Sequence, residues 1–218
     1  AGWVGSPDLR KVVVTGEPLP LTLASDLVAR CGEVWNMYGP TETTVWSTGG
    51  RVENPEGRGI SIGRPLANTQ VYVLDSDFQV CPIGVEGDMF VGGLGVSQGY
   101  VNLPDLTAER FLPDRFAPHD ANARIYRTGD RARWRNDGTL VHLGRSDTQV
   151  KLRGYRIELS EIEAVLARHP QVVRAAVAVR DIAPGDTRLV AYVVPRGDVL
   201  TAGILGEYLS RFLPDYML

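Results

Sequence analysis

The chain has 218 residues, 44% hydrophobic and 22% charged, with a formal net charge of −3; this suits a packed core of one large or two small domains and excludes a disordered chain. The acidic balance leaves no clustered basic face, so a nucleic-acid partner is not expected. No run approaches the ~20 apolar residues of a membrane span, the first residues (AGWVGSPDLR) do not read as a signal peptide, and Cys31 and Cys81 are too few for a disulfide framework, so the expectation is a cytoplasmic protein with no membrane partner.

Residues 11–15 (KVVVT) are a β-branched run and predict a buried strand. Residues 22–30 carry Leu23, Leu27 and Val28 at helical spacing, with Gly32 expected as the C-cap. Residues 33–37 predict a second strand. Strand, helix, strand with short connections is a βαβ unit, which favours parallel pairing. Its second strand runs into YGPTETT, at the carboxyl end where ligands bind in open α/β sheets. The chain opens just before the first strand, which suggests a piece of a longer protein.

From about residue 60 to 143 the texture changes. Short strands at 70–74, 88–92 and 139–143 alternate with Gly, Pro and Asp clusters and predict an antiparallel, barrel-like β region. Gly84, Gly87, Gly92, Gly93, Gly95 and Gly99 are spaced too irregularly for a phosphate loop and read as turns and bulges. After Asp147 the pattern changes again. Ser160 and Glu163 form a capping box; Ile162, Val165 and Leu166 make an apolar stripe, closed by His169 and Pro170. Strands are expected at 172–179 and 189–194, then a second helical stripe of Ile204, Leu205, Tyr208, Leu209 and Phe212. This is a small α+β unit near the lower limit of independent stability, expected to lean on the larger part or on further chain. The fold class is therefore α/β plus a β-barrel-like region, followed by a small α+β unit, divided as residues 1–146 and 147–218.

Three segments stand in fixed order: NMYGPTETT (residues 36–44), YRTGD (126–130) and GRSDTQVKLRGYRIELSEIE (144–163). Singly, each has a bland reading: a tight turn with an exposed Glu, a turn Asp after Gly129, an Arg–Asp surface pair. In this order they resemble the adenylation domain of nonribosomal peptide synthetases, within the adenylate-forming superfamily that includes acyl-CoA synthetases and luciferases. The resemblance runs from about Leu9 to Leu218 and corresponds to the second half of that domain. It implies the adenylate-forming fold, with the C-terminal part of the large subdomain over 1–146 and a small swinging subdomain over 147–218, truncated before its end.

The resemblance implies an enzyme that activates an amino acid with ATP and Mg²⁺ to an aminoacyl-AMP. The aminoacyl group then passes to the phosphopantetheine thiol of a peptidyl carrier protein, in the assembly of an antibiotic or other secondary metabolite. Tyr38 would stack on adenine, Asn36 would offer its amide to the adenine edge, and Gly39 belongs to the same nucleotide-binding turn. Thr41 would give a hydroxyl to the α-phosphate, and Glu42 would hold Mg²⁺, a hard cation that takes carboxylate oxygen. Asp130 would accept both ribose hydroxyls and Arg145 would reach the nucleotide. Asp147 would be the hinge of the swinging subdomain. His142 stands where the family usually has Tyr against the ribose; it stacks there or is an ordinary strand histidine. Gly154 would let backbone approach the thiol carrier, while Lys151 and Arg153 read first as solvated charges. The substrate pocket would include Val13, Thr15, Met37, Val45 and Trp46. A Trp at the pocket floor favours a small substrate side chain, glycine above all; Trp46 reads equally as core packing.

Two parts of the family pattern do not occur in these residues. They are the Gly- and Ser/Thr-rich phosphate loop ending in Lys and the Lys near the end of the small subdomain. Two charged transition-state contacts are thus missing, so this segment alone is expected to be nearly inactive. An acyl- or aryl-CoA ligase is the alternative enzyme, disfavoured by Pro40, Tyr126 and GRSDTQ. A non-catalytic half-domain is the other alternative, docking with an inserted or adjacent synthetase domain or a small MbtH-like protein.

Overall fold

The computed structural model describes residues 4–6, 8–53, 60–183, 186–197 and 200–218. It divides into two compact units, Ala1–Asp147 and Thr148–Leu218.

The first unit opens with the expected βαβ arrangement. Strands β1 (Lys11–Val14) and β2 (Glu33–Tyr38) pair in parallel, from Lys11 opposite Glu33 to Val14 opposite Asn36. Helix α1 (Leu21–Arg30) joins them and buries Ala24 against Val34 and Val52, with Leu27 and Val28 beside them. Two expectations change here. β1 is not buried: among the described residues it is the edge strand, with a neighbour on one side only, and Val13 is 44% exposed. Helix α1 ends at Cys31 in an extended conformation, not at a left-handed Gly32.

A short 3₁₀ turn, Thr41–Thr43, follows β2. Among the described residues seven further strands join the sheet: β3 (Thr48–Arg51), β4 (Ser61–Pro65), β5 (Thr69–Leu74), β6 (Gly87–Gly93), β7 (Phe111–Pro113), β8 (Arg124–Trp134) and β9 (Leu140–Arg145). The order is β1-β2-β3-β4-β9-β8-β6-β5, with β7 also paired to β8, and every pairing beyond β1–β2 is antiparallel. Tyr38 of β2 shares one core cluster with Val71 and Val73 of β5 and with Met89, Ala132 and Leu140. Five strands lie between β2 and β5 in that order, and no helix contributes to the cluster. The burial therefore comes from the sheet curling on itself, which gives the barrel-like character its physical meaning. Helix α2 (Pro104–Arg110) begins with a proline in its first turn and leads directly into β7.

The second unit has its own core. Hairpin β10 (Gln149–Leu152) and β11 (Tyr155–Glu158) leads straight into helix α3 (Leu159–Ala167). Strands β12 (Val172–Ala183) and β13 (Asp186–Pro195) form an antiparallel pair, followed by α4 (Ala202–Leu209) and a 3₁₀ turn, Asp215–Met217. Ile157, Ile162, Val165, Leu166, Val177, Leu209, Leu213 and Met217 are buried together. The expected capping box does not form. Because β11 continues to Glu158, the helix starts before Ser160, and no side chain caps it. Glu163 instead accepts the backbone N–H of Val177 at 2.8 Å, tying α3 to β12. Ile204 and Phe212 fall off the expected stripe and stay exposed. Leu166→Ala should cost the second unit about 2–5 kcal/mol, whereas Ile204→Ala should stay within about 0.5 kcal/mol; urea unfolding of both variants measures the contrast.

Candidate functional site

The chemistry gathers on Asp130, in the middle of β8. Cross-strand register places Asp130 opposite Arg145 of β9, and before the next pair, Ala132 opposite His142, β9 advances three residues against two on β8. Asp130 is 4% exposed, and both of its oxygens are engaged. Tyr38 donates its phenol O–H to Oδ2 at 2.5 Å. His142 Nε2 lies 3.0 Å from Oδ1, and Arg145 donates to the same oxygen at 2.9 Å. The backbone N–H of Asp130 donates to Thr128 Oγ1. Burial alone raises the carboxyl pKa, but the His142 hydrogen bond and the Arg145 charge outweigh it and hold Asp130 below its ordinary value. The same burial, with the Asp130 charge beside it, pushes the Tyr38 phenol well above its ordinary value, so it stays a neutral donor.

Arg145 also grips Asp147 with two hydrogen bonds, 2.7 and 2.8 Å, and donates to the Thr128 carbonyl. Burial lowers its pKa, but Asp147 and Asp130 more than offset this and raise it. Asp147 meets Arg110 of α2 at 3.7 Å as well. Gly129 makes this packing possible: its φ is +77°, and a Cβ there would lie 2.4 Å from Asp147 Oδ2 and 2.6 Å from Arg145 Nη2. YRTGD is thus strand with a glycine irregularity, not the turn of its bland reading.

At the carboxyl end of β2, Gly39 brings its backbone against residues 45–47; a Cβ there would lie 2.4 Å from the Val45 carbonyl oxygen. This folds the 3₁₀ turn back over the strand end. Thr41 is exposed at the start of that turn, while Glu42 is buried. Glu42 Oε1 accepts the O–H of Tyr100 at 2.6 Å, and Tyr100 Oη lies 3.3 Å from Tyr126 Oη. Among the described residues, no three His, Cys, Asp or Glu side chains cluster as a metal cage. A buried carboxylate oriented by a tyrosine O–H fits Mg²⁺, which takes one or two carboxylates together with substrate phosphates.

Asn36 is buried on β2 and donates its amide to the Ser61 carbonyl at 2.8 Å. It thereby ties β2 to β4 rather than presenting that N–H to a ligand. The Tyr38 ring is likewise only 7% exposed, with the His142 ring 5.9 Å away at 35°. In this state Tyr38 positions Asp130 and has little face left for stacking. Of the five residues expected at the substrate pocket, Val13, Thr15, Val45 and Trp46 are exposed and Met37 is half-buried. Val13 and Met37 share the face of the β1–β2 edge opposite Val34, Asn36 and Tyr38, as strand alternation and register require, and Thr15 lies just past the end of β1, exposed. Val45 is 66% and Trp46 41% exposed, so Trp46 is not core packing in this chain. Val45 has φ +65° beneath a hydrogen bond from Trp46 N–H to the Thr44 carbonyl, the strained hand of the γ-turn. In the second unit, Arg153 and Gly154 (φ +53° and +81°) are the two central residues of the β10–β11 hairpin turn. Among the described residues a Cβ at Gly154 would meet nothing within 4 Å, and its positive φ is what the turn requires.

Tyr100 and Arg110 belong to the site's support, yet neither drew notice in the sequence. Tyr100 follows Gly99 in a loop without periodicity, and Arg110 sits in a short helix that reads as a surface element. A Tyr among polar loop residues was the available signal for the first; the second left none.

The family described as "AMP-binding enzyme" matches residues 4–101, and "AMP-binding enzyme C-terminal domain" matches residues 161–218. A dimodular nonribosomal peptide synthase of Bacillus subtilis (strain 168) is 52% identical over 209 residues, covering 95% of this chain and 9% of that protein. The chain therefore spans a small fraction of that relative's length. Among solved structures, holo-AB3403, a four-domain nonribosomal peptide synthetase bound to AMP and glycine, is 43% identical with a TM-score of 0.62, over 100% of this chain and 16% of that one. NpsA-ThdA, an artificially fused adenylation–PCP di-domain from Klebsiella oxytoca, is 30% identical with a TM-score of 0.79, over 96% and 39%.

Because Asp130 is held below the ordinary value of 3.8, its contribution to stability is complete above that pH. It is lost as pH falls through the folded value. Melting temperatures measured at falling pH should drop for the wild type below about pH 4, and Asp130→Asn should lack that part of the drop.

Proposed function

Since the chain belongs to the AMP-binding enzyme family, as part of an adenylation domain of the nonribosomal peptide synthetase kind, we propose that it serves amino-acid activation with ATP, followed by transfer to a carrier-protein thiol. One observation carries this reading: Tyr38, His142 and Arg145 converge on the buried Asp130 carboxylate, while Glu42, in the turn that follows Tyr38's strand, is fixed by Tyr100. Two buried, separately held carboxylates, one in mid-strand against Tyr38 and one in the turn just past it, suit a nucleotide and cation site better than a scaffold.

In the first step a carboxylate oxygen of the amino acid bonds to the α-phosphorus of ATP. The bond to the bridging oxygen breaks, and pyrophosphate leaves with that electron pair. In the second step a thiolate sulfur bonds to the carbonyl carbon and AMP leaves. Asp130 is suited to accept the two ribose hydroxyls, a carboxylate being a two-oxygen acceptor; its present partners must yield for it to do so. Thr41, exposed at the start of its turn, has a hydroxyl available to an α-phosphate oxygen. Arg145 supplies a fixed positive charge beside the nucleotide. Mg²⁺ held by Glu42 would neutralise phosphate charge and orient the leaving pyrophosphate.

The finer assignments belong to the same proposal. Residues 147–218 are the swinging subdomain and Asp147 its hinge. The Asp147 carboxylate, held by Arg145 and Arg110, gives one side of that hinge a fixed anchor. Val13, Thr15, Met37, Val45 and Trp46 line the amino-acid pocket. The bulk of Trp46 favours a small side chain, glycine above all, and the glycine bound to the AB3403 synthetase supports that choice. The partners are a peptidyl carrier protein with its phosphopantetheine arm, and an MbtH-like protein or adjacent synthetase domain. Among the described residues no helix is long and apolar enough to cross a membrane, and the proposed location is the cytoplasm.

Amino-acid-dependent ATP–pyrophosphate exchange, measured on the longer polypeptide that carries this segment, tests the proposal. Glycine or another small amino acid should drive exchange, and Asp130→Ala should lower it about 100-fold or more. Exchange with a bulky amino acid would overturn the Trp46 pocket argument alone. Exchange with acyl or aryl acids only would move the protein to the CoA-ligase class, and none at all would favour a scaffolding half.

A further inference from the structure

The loop from Gly95 to Tyr100 is bound to the 3₁₀ turn that presents Glu42. The Ser97 N–H donates to the Glu42 carbonyl at 2.8 Å, and Thr44 Oγ1 donates to the Gly95 carbonyl at 2.8 Å. The end of the loop is fixed in turn by helix α2, where Thr107 Oγ1 accepts the Tyr100 N–H at 2.9 Å. The Tyr100 ring stands edge-on to Phe111 (5.4 Å, 71°), which packs at 5.0 Å on the wholly buried Tyr126. A tyrosine held at its backbone and on its ring has its O–H aimed by the fold.

We propose that Tyr100 is a positioning residue for Glu42: its phenol O–H fixes Oε1 and so sets the orientation in which that carboxylate receives a divalent cation. A phenol has one hydrogen to give. That hydrogen goes to Glu42, so in the 3.3 Å contact between the two tyrosines Tyr126 is the donor. The result is a relay from Tyr126 O–H through Tyr100 O–H to the carboxylate, each bond polarising the next. Partners of this kind orient the groups that touch a metal and tune their affinity for it; removing one commonly weakens metal binding 10–100-fold. The relay also joins the two halves of the site, since Tyr126 lies on β8 four residues before Asp130.

This inference rests on the adenylation reading, and calorimetric binding of ATP at a series of Mg²⁺ concentrations separates the two. The protein is the longer polypeptide, as wild type, Tyr100→Phe and Tyr126→Phe. Phenylalanine keeps the ring packing and removes only the hydroxyl. In Tyr100→Phe the Mg²⁺ concentration for half-maximal enhancement of ATP binding should rise about tenfold, and saturating Mg²⁺ should restore wild-type affinity. Binding without Mg²⁺ should stay as in the wild type, and so should the melting temperature to within a few degrees. Tyr126→Phe should shift the midpoint in the same direction by less. An unshifted midpoint beside a Mg²⁺-dependent wild type overturns the role of Tyr100. So does equal weakening with and without Mg²⁺, because it marks a merely structural tyrosine. A wild-type protein that binds no ATP at any Mg²⁺ concentration overturns the adenylation reading, and this inference with it.

Discussion

A carboxylate removed from water must be paired or neutralised, and Asp130 is the place where this chain meets that requirement. Three side chains from two other strands satisfy it: Tyr38 from the end of β2, His142 and Arg145 from β9. Each partner has its own reason to be where it is. Tyr38 is drawn into the barrel-like core, Arg145 sits opposite Asp130 in register, and His142, opposite Ala132, reaches the same carboxylate across the register irregularity between the two pairs. The curl of the sheet is therefore also what assembles the site. A flat sheet with the same strand order would leave β2 and β8 too far apart for the tyrosine to reach.

The consequence is a site that is closed upon itself. The carboxylate that a ribose would need is already hydrogen-bonded, and the tyrosine that adenine would need is mostly covered. On the proposed function, nucleotide binding would be an exchange of partners around one buried charge, in which ribose hydroxyls take positions held by protein donors. Such an exchange keeps the charge satisfied throughout and avoids the several kcal/mol that an unpaired buried carboxylate would cost. Strain sits beside it, in the left-handed Thr44 and Val45 that end the 3₁₀ turn. Backbone of this kind persists only where the surroundings over-determine it, and the bonds to Gly95 and Ser97 do so here.

What could be read from the sequence follows from how local the cause was. The β1–α1–β2 unit was legible because periodicity and turn residues specify it within thirty residues. Strands β3, β4 and β8 were not: TGGR, SIGRP and RIYRTGDRARW carry Gly and Arg where strand patterning expects alternating apolar residues. Their strand character comes from neighbours distant in sequence. The capping box at Ser160 misled for a similar reason, since β11 feeds α3 without a break and Glu163 finds a better partner across the unit. Tyr38, Glu42, Asp130 and Arg145 were named from short motifs, and the structure brings the first, third and fourth into direct contact. The hydrogen bonds of Asn36 and the contribution of Tyr100 depend on strands and loops that no motif records.

The central claim is that Asp130 exchanges its protein partners for ribose hydroxyls. Equilibrium binding of ATP and of its 2′,3′-dideoxy analogue to the longer polypeptide, each with wild type and Asp130→Asn, tests this most directly. Wild type should bind the dideoxy analogue at least about tenfold more weakly than ATP, by the usual strength of hydrogen bonds to a charged group, and the variant should treat the two nearly alike. Equal affinities in the wild type, or an undiminished preference for ATP in Asp130→Asn, would contradict the account.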